Sequence, residues 1–388
     1  MITIFWISIF LIVYTFVGYG FVLFVLVKIK TLFVKPFQFK AEYPLLTVTV
    51  MVAAYNEEDI IKEKVFNTLA LDYPKDKLQL IFITDGSSDR TEEILSGFNE
   101  ITLLHENTRS GKMAAIKRAI PYITGEVTVF TDANTFLNIE AINELIKHYQ
   151  NPMVGAVAGE KRILVEEAAD ASSAGEGFYW KYESKLKKWD YALYSNVGAA
   201  GELFSIRTAL YEPVESDTII DDHMIAMRIA EKGSIIAYEP DAYAMETASA
   251  DVKEELKRKI RIAAGGIQSI LRLKKAANPF HNPVFTFQYI SHRVLRWTIT
   301  PFLLFVALII NGAIAVQTDL KFYQILFALQ LAFYVLAAVG LYFERKNIRI
   351  KALFIPYYFC VMNYAVLAGM LRYYRNNQSA AWEKSKRK

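Results

Sequence analysis

The sequence has a single cysteine and lacks the patterns that mark common cofactor sites. Because Cys360 has no partner in the chain, an intrachain disulfide and a zinc site built on several cysteines are both excluded. No G-x-G-x-x-G segment follows the first predicted strand, and no G-x-x-x-x-G-K-[S/T] segment occurs. Neither a Rossmann dinucleotide site nor a P-loop is therefore supported.

Acidic residues are almost missing from both ends of the chain. Of the 40 Asp and Glu residues, 37 lie between Glu42 and Glu255, where only 20 of the 44 Lys and Arg residues are found. The other 24 basic residues lie in the two flanks, beside long apolar segments. This arrangement is typical of proteins at an anionic membrane surface, so we expect membrane lipids as partners and no nucleic acid.

The sequence is 53% hydrophobic and contains four long uncharged segments. Residues 3–27 form the first, and residues 297–318, 322–343 and 352–371 form the other three. About 20 apolar residues cross a bilayer as a helix, so each segment is long enough to do so. The first segment has no basic leader and no small-residue cleavage site behind it, which predicts an uncleaved anchor.

The basic residues beside these segments predict their orientation. Lys28, Lys30 and the basic loop at 345–351 belong on the cytosolic side by the positive-inside rule, which places the acidic region in the cytosol. Four crossings would leave the basic tail after residue 371 outside, against the same rule. Pro356 and its neighbouring tyrosines leave a re-entrant or interfacial last segment as the alternative.

Short β-branched segments alternate with helical patterns in the acidic region. Such near-continuous apolar strands separated by helices predict a parallel sheet covered on both faces. Ligands of these sheets bind beyond the carboxyl ends of the strands, so the polar residues there are candidate site residues. The predicted strands are residues 46–53, 78–84, 101–105, 127–131 and 154–158, and the predicted helices are 58–71, 90–96, 112–120 and 139–149.

Three polar segments follow predicted strands. They read Ala-Tyr-Asn-Glu at 54–57, Asp-Gly-Ser-Ser-Asp at 85–89 and Asp-Ala-Asn at 132–134. Asp132 and Asn134 can share one hard cation, with substrate phosphates and water completing its ligands. Each segment alone is equally compatible with an ordinary turn, because Asp, Asn, Ser and Gly favour turns and helix starts.

Two charged segments are further candidates. Arg109 and Lys112 lie at the start of a predicted helix, where cations and free N–H groups favour the binding of a phosphate group. A solvated basic loop without a ligand is the alternative. Asp221 and Asp222 are adjacent, and repulsion between them raises the pKa of one, which suits a general base. An acidic helix start is the alternative there, and His223 stays unassigned.

Taken in order, these segments resemble those of family 2 glycosyltransferases with a GT-A fold, in the membrane-embedded branch of hyaluronan, chitin and cellulose synthases. The resemblance covers roughly residues 45–265. It implies an α/β GT-A domain inserted between transmembrane helices, one before it and about three after it. The matching pieces are residues 53–57, 85–87, 111–112, 132–134, Gly201 and 220–222.

This resemblance divides the chain into five parts. They are an anchor with a basic flank (1–40), a cytosolic GT-A domain (41–250), amphipathic interfacial helices (251–296), transmembrane segments (297–371) and a basic tail (372–388). The expected location is a bacterial-type plasma membrane.

The resemblance also implies an activity and the residues that perform it. The protein would be an inverting glycosyltransferase that moves a sugar from a nucleotide-sugar, expected to be a UDP-sugar, to a membrane-associated lipid or saccharide acceptor. Asp222 is the implied catalytic base, and Mn²⁺ or Mg²⁺ is implied at Asp132 and Asn134. The implied nucleotide-sugar ligands are Asn56, Glu57, Asp85, Lys112 and Asp132, and the implied acceptor residues are Gly201, Asp221 and Arg261.

Two departures from the family pattern bear on metal affinity and product length. The metal motif usually ends in Asp where this chain has the neutral Asn134, which predicts weaker metal binding. Polymerising members carry Gln-x-x-Arg-Trp, whereas residues 258–262 begin with Arg258, end with Ile262 and match only at Arg261. The missing aromatic platform for sugar stacking predicts short products.

Two alternatives stay open. One is a processive polysaccharide synthase. The other is a catalytically silent nucleotide-sugar-binding subunit of a polysaccharide secretion complex, which would bring export partners.

Overall fold

The computed structural model describes residues 1–164, 171–247, 252–346, 348 and 350–375. The chain opens with one long apolar helix, Ile2–Phe33. It consists of α1 (Ile2–Val13), a π-helical turn (Tyr14–Gly18) and α2 (Tyr19–Phe33). The predicted anchor is therefore helical and continues beyond its uncharged part.

The first half of the α/β domain is a parallel sheet. Strands and helices alternate there as predicted, and the strands lie in the spatial order β3-β2-β1-β4. The strands are β1 (Val48–Ala54), β2 (Leu78–Thr84), β3 (Thr102–Leu104) and β4 (Val127–Asp132), and the helices are α3 (Ile61–Leu69), α4 (Thr91–Ser96), α5 (Lys112–Ala119) and α6 (Ala141–Ile146).

The second half turns the sheet into a mixed one of order β3-β2-β1-β4-β7-β6-β8-β5. Its strands are β5 (Phe136–Leu137), β6 (Val154–Leu164), β7 (Phe204–Arg207) and β8 (Ile235–Thr247). The five predicted strands, β1 to β4 and β6, run in one direction, which confirms the parallel sheet. The sheet as a whole is mixed, because β7 is antiparallel to β4 and β6, and β5 to β8. An apolar strand pattern is the same in either direction. Along the chain, α7 (Ala171–Leu193) precedes β7.

Apolar side chains cover both faces of the sheet, as predicted. Along β1, Val50 and Val52 belong to one buried cluster and Met51 to the other. Phe82 and Ile81 of β2 divide in the same way. This alternation follows from the two-residue period of a strand.

The helices after the sheet lead the chain back to the membrane. They are α8 (Asp221–Glu231), α9 (Val252–Arg272), α10 (Pro283–Tyr289) and α11 (Leu295–Trp297). Helix α9 corresponds to the predicted amphipathic segment. It packs closely against Ile220 and Trp297 at two glycines, since a Cβ on Gly265 would lie 2.9 Å from Ile220 and one on Gly266 would lie 2.6 Å from Trp297.

Three long apolar helices complete the described chain: α12 (Ile299–Gln317), α13 (Lys321–Arg345) and α14 (Lys351–Tyr374). With Ile2–Phe33, the described residues contain four helices long and apolar enough to cross a membrane. One precedes the α/β domain and three follow it, which confirms the predicted arrangement.

A buried cluster of ionisable groups joins the first membrane helix to the α/β domain. His292 Nδ1 lies 2.6 Å from Asp190 Oδ2, and His292 Nε2 lies 3.0 Å from Glu183 Oε1. Tyr19 of α2 donates a hydrogen bond to the same Asp190. Burial favours a raised pKa for Glu183, but His292 and Arg296 outweigh it and hold the pKa well below its usual range.

The close approach of Gly125 to β1 predicts a sensitive position. A Cβ on Gly125 would lie 2.4 Å from the Thr49 nitrogen, which is backbone and cannot move aside cheaply. We expect Gly125→Ala to destabilise the protein by about 1–3 kcal/mol through overpacking. Gly97→Ala is the matched control, since its nearest contact is 3.4 Å away and its φ is −76°. Thermal unfolding of both variants tests this, and equal midpoints would contradict it.

Candidate active site

The loops after β1 and β2 are bonded to each other at the carboxyl ends of the strands. Asn56 Oδ1 accepts a hydrogen bond from the Ser88 N–H at 2.8 Å, and the Asn56 N–H donates to Ser87 Oγ at 3.2 Å. Asn56 has a φ of 55°, in the left-handed region that asparagine tolerates better than most residues. Glu57 is buried, and its N–H donates to Thr91 Oγ1. Both predicted nucleotide ligands thus also shape this loop.

Asp85 at the end of β2 holds the loop that precedes α5. Its Oδ2 accepts hydrogen bonds from the N–H groups of Ser110 (2.9 Å) and Gly111 (2.6 Å). Its Oδ1 is buried and 3.6 Å from Arg118 Nη1, and within the described chain it accepts no hydrogen bond. Asp85 Oδ1 can therefore still accept a hydrogen bond at this edge of the sheet.

Arg109 in the same loop lies over the side chain of Tyr55. Its guanidinium carbon is 3.9 Å from the ring centre, and Nη1 donates to the Tyr55 hydroxyl at 3.2 Å. The Arg109 backbone can approach only because position 86 is glycine, since a Cβ there would lie 2.6 Å from the Arg109 nitrogen. The basic loop is thus packed on the strand ends.

Lys112, the first residue of α5, lies among the predicted acidic residues. Its Nζ is 2.9 Å from Asp132 Oδ1 and 3.5 Å from Asp221 Oδ2. Burial alone would lower the pKa of Lys112, but Asp132 and Asp221 outweigh it and raise the pKa above its ordinary value. The side chain is therefore a permanent cation between two parts of the site that are far apart in sequence.

Asp222 has the carboxyl group best suited to accept a proton. Burial raises its pKa to about 7, and the charge of neighbouring Asp221 adds to this, whereas Lys112 opposes it. These two aspartates begin α8 beneath α9, and Asp222 Oδ2 would lie 3.5 Å from a Cβ on Gly201. The predicted base and the predicted acceptor glycine are therefore adjacent.

Gly201 lies beside the predicted metal ligand Asp132. A Cβ on Gly201 would lie 3.6 Å from both Asp132 Oδ2 and Lys112 Nζ. Among the described residues, no group of three or more His, Cys, Asp and Glu side chains is arranged to hold a metal. One or two protein oxygens with substrate phosphates are sufficient for Mg²⁺-type sites, so Asp132 with Asn134 nearby fits a cation whose other ligands come from the substrate.

Lys64 is a residue of this region that the sequence did not indicate. It is fully buried on α3, and its ammonium group donates to Thr131 Oγ1 at 3.0 Å and to the Thr135 carbonyl at 2.5 Å. Burial lowers its pKa to about 7, against the attraction of Asp132. Its bonds hold the turn that carries Asp132 and Asn134. A lysine within an amphipathic helix pattern gives no signal of such a role.

Arg258, which stands where the family pattern has Gln, belongs to an ion network. It lies 3.0 Å from Glu255, 3.8 Å from Glu202 and 4.0 Å from Glu246. Lys161 is 2.6 Å from Glu202 and also contacts Glu246. Burial would raise the pKa of Glu202, but Lys161 and Arg258 lower it below its usual range. The network fixes the segment that follows Gly201.

Arg261 and Trp297 lie beside the segment that leads into α8. Arg261 Nη1 is 3.5 Å from the Ile219 carbonyl oxygen. The Trp297 ring lies edge to face with the ring of His223, with 5.6 Å between their centres. Burial lowers the pKa of His223 to about 3, so this imidazole is neutral at ordinary pH. Trp297 also lies against α9, since a Cβ on Gly266 would be 2.6 Å from its ring.

Comparison with known proteins identifies the α/β domain. Residues 49–208 match the sequence model described as Glycosyl transferase family 2. The match lies within the α/β domain. The chain is also similar to the poly-beta-1,6-N-acetyl-D-glucosamine synthases of Staphylococcus aureus strain MSSA476 (27% identity) and of Staphylococcus epidermidis (26% identity). Each match covers 235 residues, 58% of this chain and 56% of the relative, so the chain spans about half the length of these relatives.

A solved structure extends the similarity beyond the family 2 domain. The mannosyltransferase PcManGT from Pyrobaculum calidifontis, in complex with GDP-Man and Mn²⁺, aligns with a TM-score of 0.72. The alignment covers 97% of this chain and 100% of that chain at 22% sequence identity. The similarity confirms the predicted GT-A fold of the family 2 domain.

Proposed function

We propose that the protein is a membrane-bound inverting glycosyltransferase that moves a sugar from a nucleotide-sugar to a membrane-associated lipid or saccharide acceptor. The supporting observation is the convergence of Asp132, Asp222 and Lys112 around Gly201 in a family 2 domain. The donor is a UDP-sugar in this proposal. The positive-inside rule places the catalytic domain in the cytosol.

Asp222 is the general base in this proposal. It takes the proton from the acceptor hydroxyl while the oxygen attacks the anomeric carbon. The new glycosidic bond forms on the face opposite the departing nucleoside diphosphate, which leaves with the bonding electron pair, so the configuration inverts. A carboxyl with a pKa of about 7 is a stronger base than an ordinary aspartate and is still half ionised at neutral pH.

The remaining residues bind and orient the two substrates. Asn56, Glu57 and Asp85 line the nucleotide end, and Lys112 supplies positive charge at the diphosphate. Asp132 and Asn134 would hold Mn²⁺ or Mg²⁺, which when bound neutralises charge on the departing diphosphate. The acceptor residues are Gly201, Asp221 and Arg261.

The raised pKa of Asp222 predicts a pH profile. Because the base must be ionised, kcat/KM should fall about tenfold per pH unit below about pH 7. Asp222→Asn should lose a factor of about 10² to 10⁴ in transfer rate while nucleotide binding changes little. Initial rates from pH 5 to 9, with nucleotide affinity measured in parallel, test both statements. Transfer at the parental rate by Asp222→Asn would contradict the assignment.

Asp221→Asn is a separate test of the cause of that pKa. Removing the neighbouring negative charge removes the repulsion that raises the pKa of Asp222. We therefore expect the acidic limb of the pH profile to move to lower pH in Asp221→Asn. An unchanged limb would mean that another group controls it.

A cation site at Asp132 and Asn134 whose other ligands come from the substrate predicts that transfer depends on a metal ion. Transfer should require Mn²⁺ or Mg²⁺ and stop with a chelator, and Asp132→Ala should abolish it at any metal concentration. Asn134→Asp should tighten the binding of Mn²⁺ measured calorimetrically with the nucleotide diphosphate present, because it adds a negative charge. Full activity of Asp132→Ala in chelator would remove the metal from the proposal.

A processive synthase is the second candidate, because the curated relatives named above are polysaccharide synthases. Ile262 supports short products, since the family's tryptophan offers a sugar a larger stacking surface. The experiment is to incubate membranes with labelled nucleotide-sugars, excess donor and trace acceptor, and to size the products. We expect one or a few sugars per acceptor. Long polymer beside unextended acceptor favours the synthase, and no transfer from any donor favours a silent subunit.

A further inference from the structure

Residues of neighbouring membrane helices that contact each other lie at the same depth in the bundle, so these contacts show how deep each helix reaches. Thr15 Oγ1 in the first helix is 3.1 Å from Thr300 Oγ1 at the start of α12, next to the catalytic domain. At the far end of the bundle, Trp6 donates a hydrogen bond to the Tyr323 hydroxyl at the start of α13 at 3.0 Å. The first helix, α12 and α13 therefore run between two levels, near Thr300 and near Tyr323.

Helix α13 returns to the level of Thr300 before it ends. Asn311 of α12 donates to Gln330 of α13 at 2.7 Å, which places these residues at equal depth. Ten residues of helix cover about 15 Å, so Gly340 lies near the level of Thr300. A Cβ on Gly340 would be 2.8 Å from the Leu353 carbonyl oxygen. Helix α14 therefore begins at the catalytic side of the bundle.

The other end of α14 lies at the same level. Tyr373 packs against the buried cluster of Ile219, Ile220 and Ala264. Trp297 packs against the same cluster and is only three residues before Thr300. A Cβ on Gly369 would be 2.6 Å from the Ile260 carbonyl oxygen of α9. Both ends of α14 thus contact structure on the side of the catalytic domain.

These contacts are incompatible with a crossing by α14. From Leu353 to Tyr373 the helix is about 30 Å long, enough to cross the hydrocarbon core if it stood upright. An upright helix that began beside Gly340 would carry Tyr373 to the level of Tyr323. In the middle, Phe359 contacts Phe16 of the first helix, close to the level of Thr15, at 5.0 Å between ring centres, and Phe333 of α13 at 5.8 Å. Phe333 is ten residues, about 15 Å, from Tyr323, so the middle of α14 lies deeper than its ends without reaching the level of Tyr323.

We propose that α14 lies in the plane of the membrane, in the headgroup layer on the side of the catalytic domain, with α9 beside it. The partner of this surface is the bilayer itself, and three helices cross it. The chain then returns to the side of the catalytic domain, where the positive-inside rule favours Arg372 and Arg375. Tyr-rich helices suit this layer, because the ring is apolar and the hydroxyl is wet.

The side of the C-terminal end can be mapped with single cysteines in the full chain. In a Cys360→Ala background, Arg375→Cys, Glu100→Cys and Asp319→Cys are labelled with a membrane-impermeant maleimide in sealed vesicles of known orientation. Glu100 marks the catalytic domain and Asp319 the loop between α12 and α13. We expect Arg375→Cys to react from the side of Glu100→Cys and to be protected from the side of Asp319→Cys. The opposite pattern would overturn the proposal.

A second measurement separates an in-plane helix from a re-entrant one and does not depend on sidedness. Tyr364 and Leu371 are exposed and seven residues apart, on the same face of α14. Nitroxides at Tyr364→Cys and Leu371→Cys should show equal depth by oxygen and nickel accessibility in liposomes. A steeply inserted helix would separate them by about 10 Å, which would overturn the proposal. If Cys360→Ala does not fold, protease accessibility of an epitope tag after Lys388 in the unchanged chain reports the side.

Discussion

The Lys112 ammonium group lies 2.9 Å from Asp132 and 3.5 Å from Asp221, where carboxylates from β4 and α8 meet. Carboxylates so close together in a half-buried space repel one another, and this cation offsets the repulsion while Asp222 keeps a pKa of about 7. A diphosphate or a metal ion that enters the site has to share or exchange these same partners. In the proposed function, the charge balance around Lys112 therefore links donor binding to the basicity of Asp222.

The position of Lys112 depends in turn on Asp85. Two N–H groups of the loop before α5 donate to Asp85 Oδ2, and Gly111 adopts a φ of 94° that most residues with a side chain avoid. This loop starts α5 where the ammonium group can reach Asp132. Asp85 thus supports the cation at the diphosphate end as well as lining the proposed nucleotide site.

Packing of α9 and α14 positions Asp222, the proposed base. Asp221 and Asp222 follow Ile220, which α9 covers through Gly265, and α9 is covered in turn by α14 through Gly369. Glycine at these positions lets helix backbones approach closely. The proposed active site therefore lies next to α9 and α14, which suits the proposed acceptor at the membrane surface.

The sequence alone determined the membrane helices, the alternation of β1 to β4 with helices, and the residues at the strand ends. These features are local, because they depend on apolar length, on strand and helix periods and on turn residues. The antiparallel direction of β7, the ion network of Arg258, the buried bonds of Lys64 and the contacts of Trp297 were decided only by the tertiary structure. Each joins residues distant in the chain. Their partners, and hence their charge and burial, do not exist until the sheet and helices have packed.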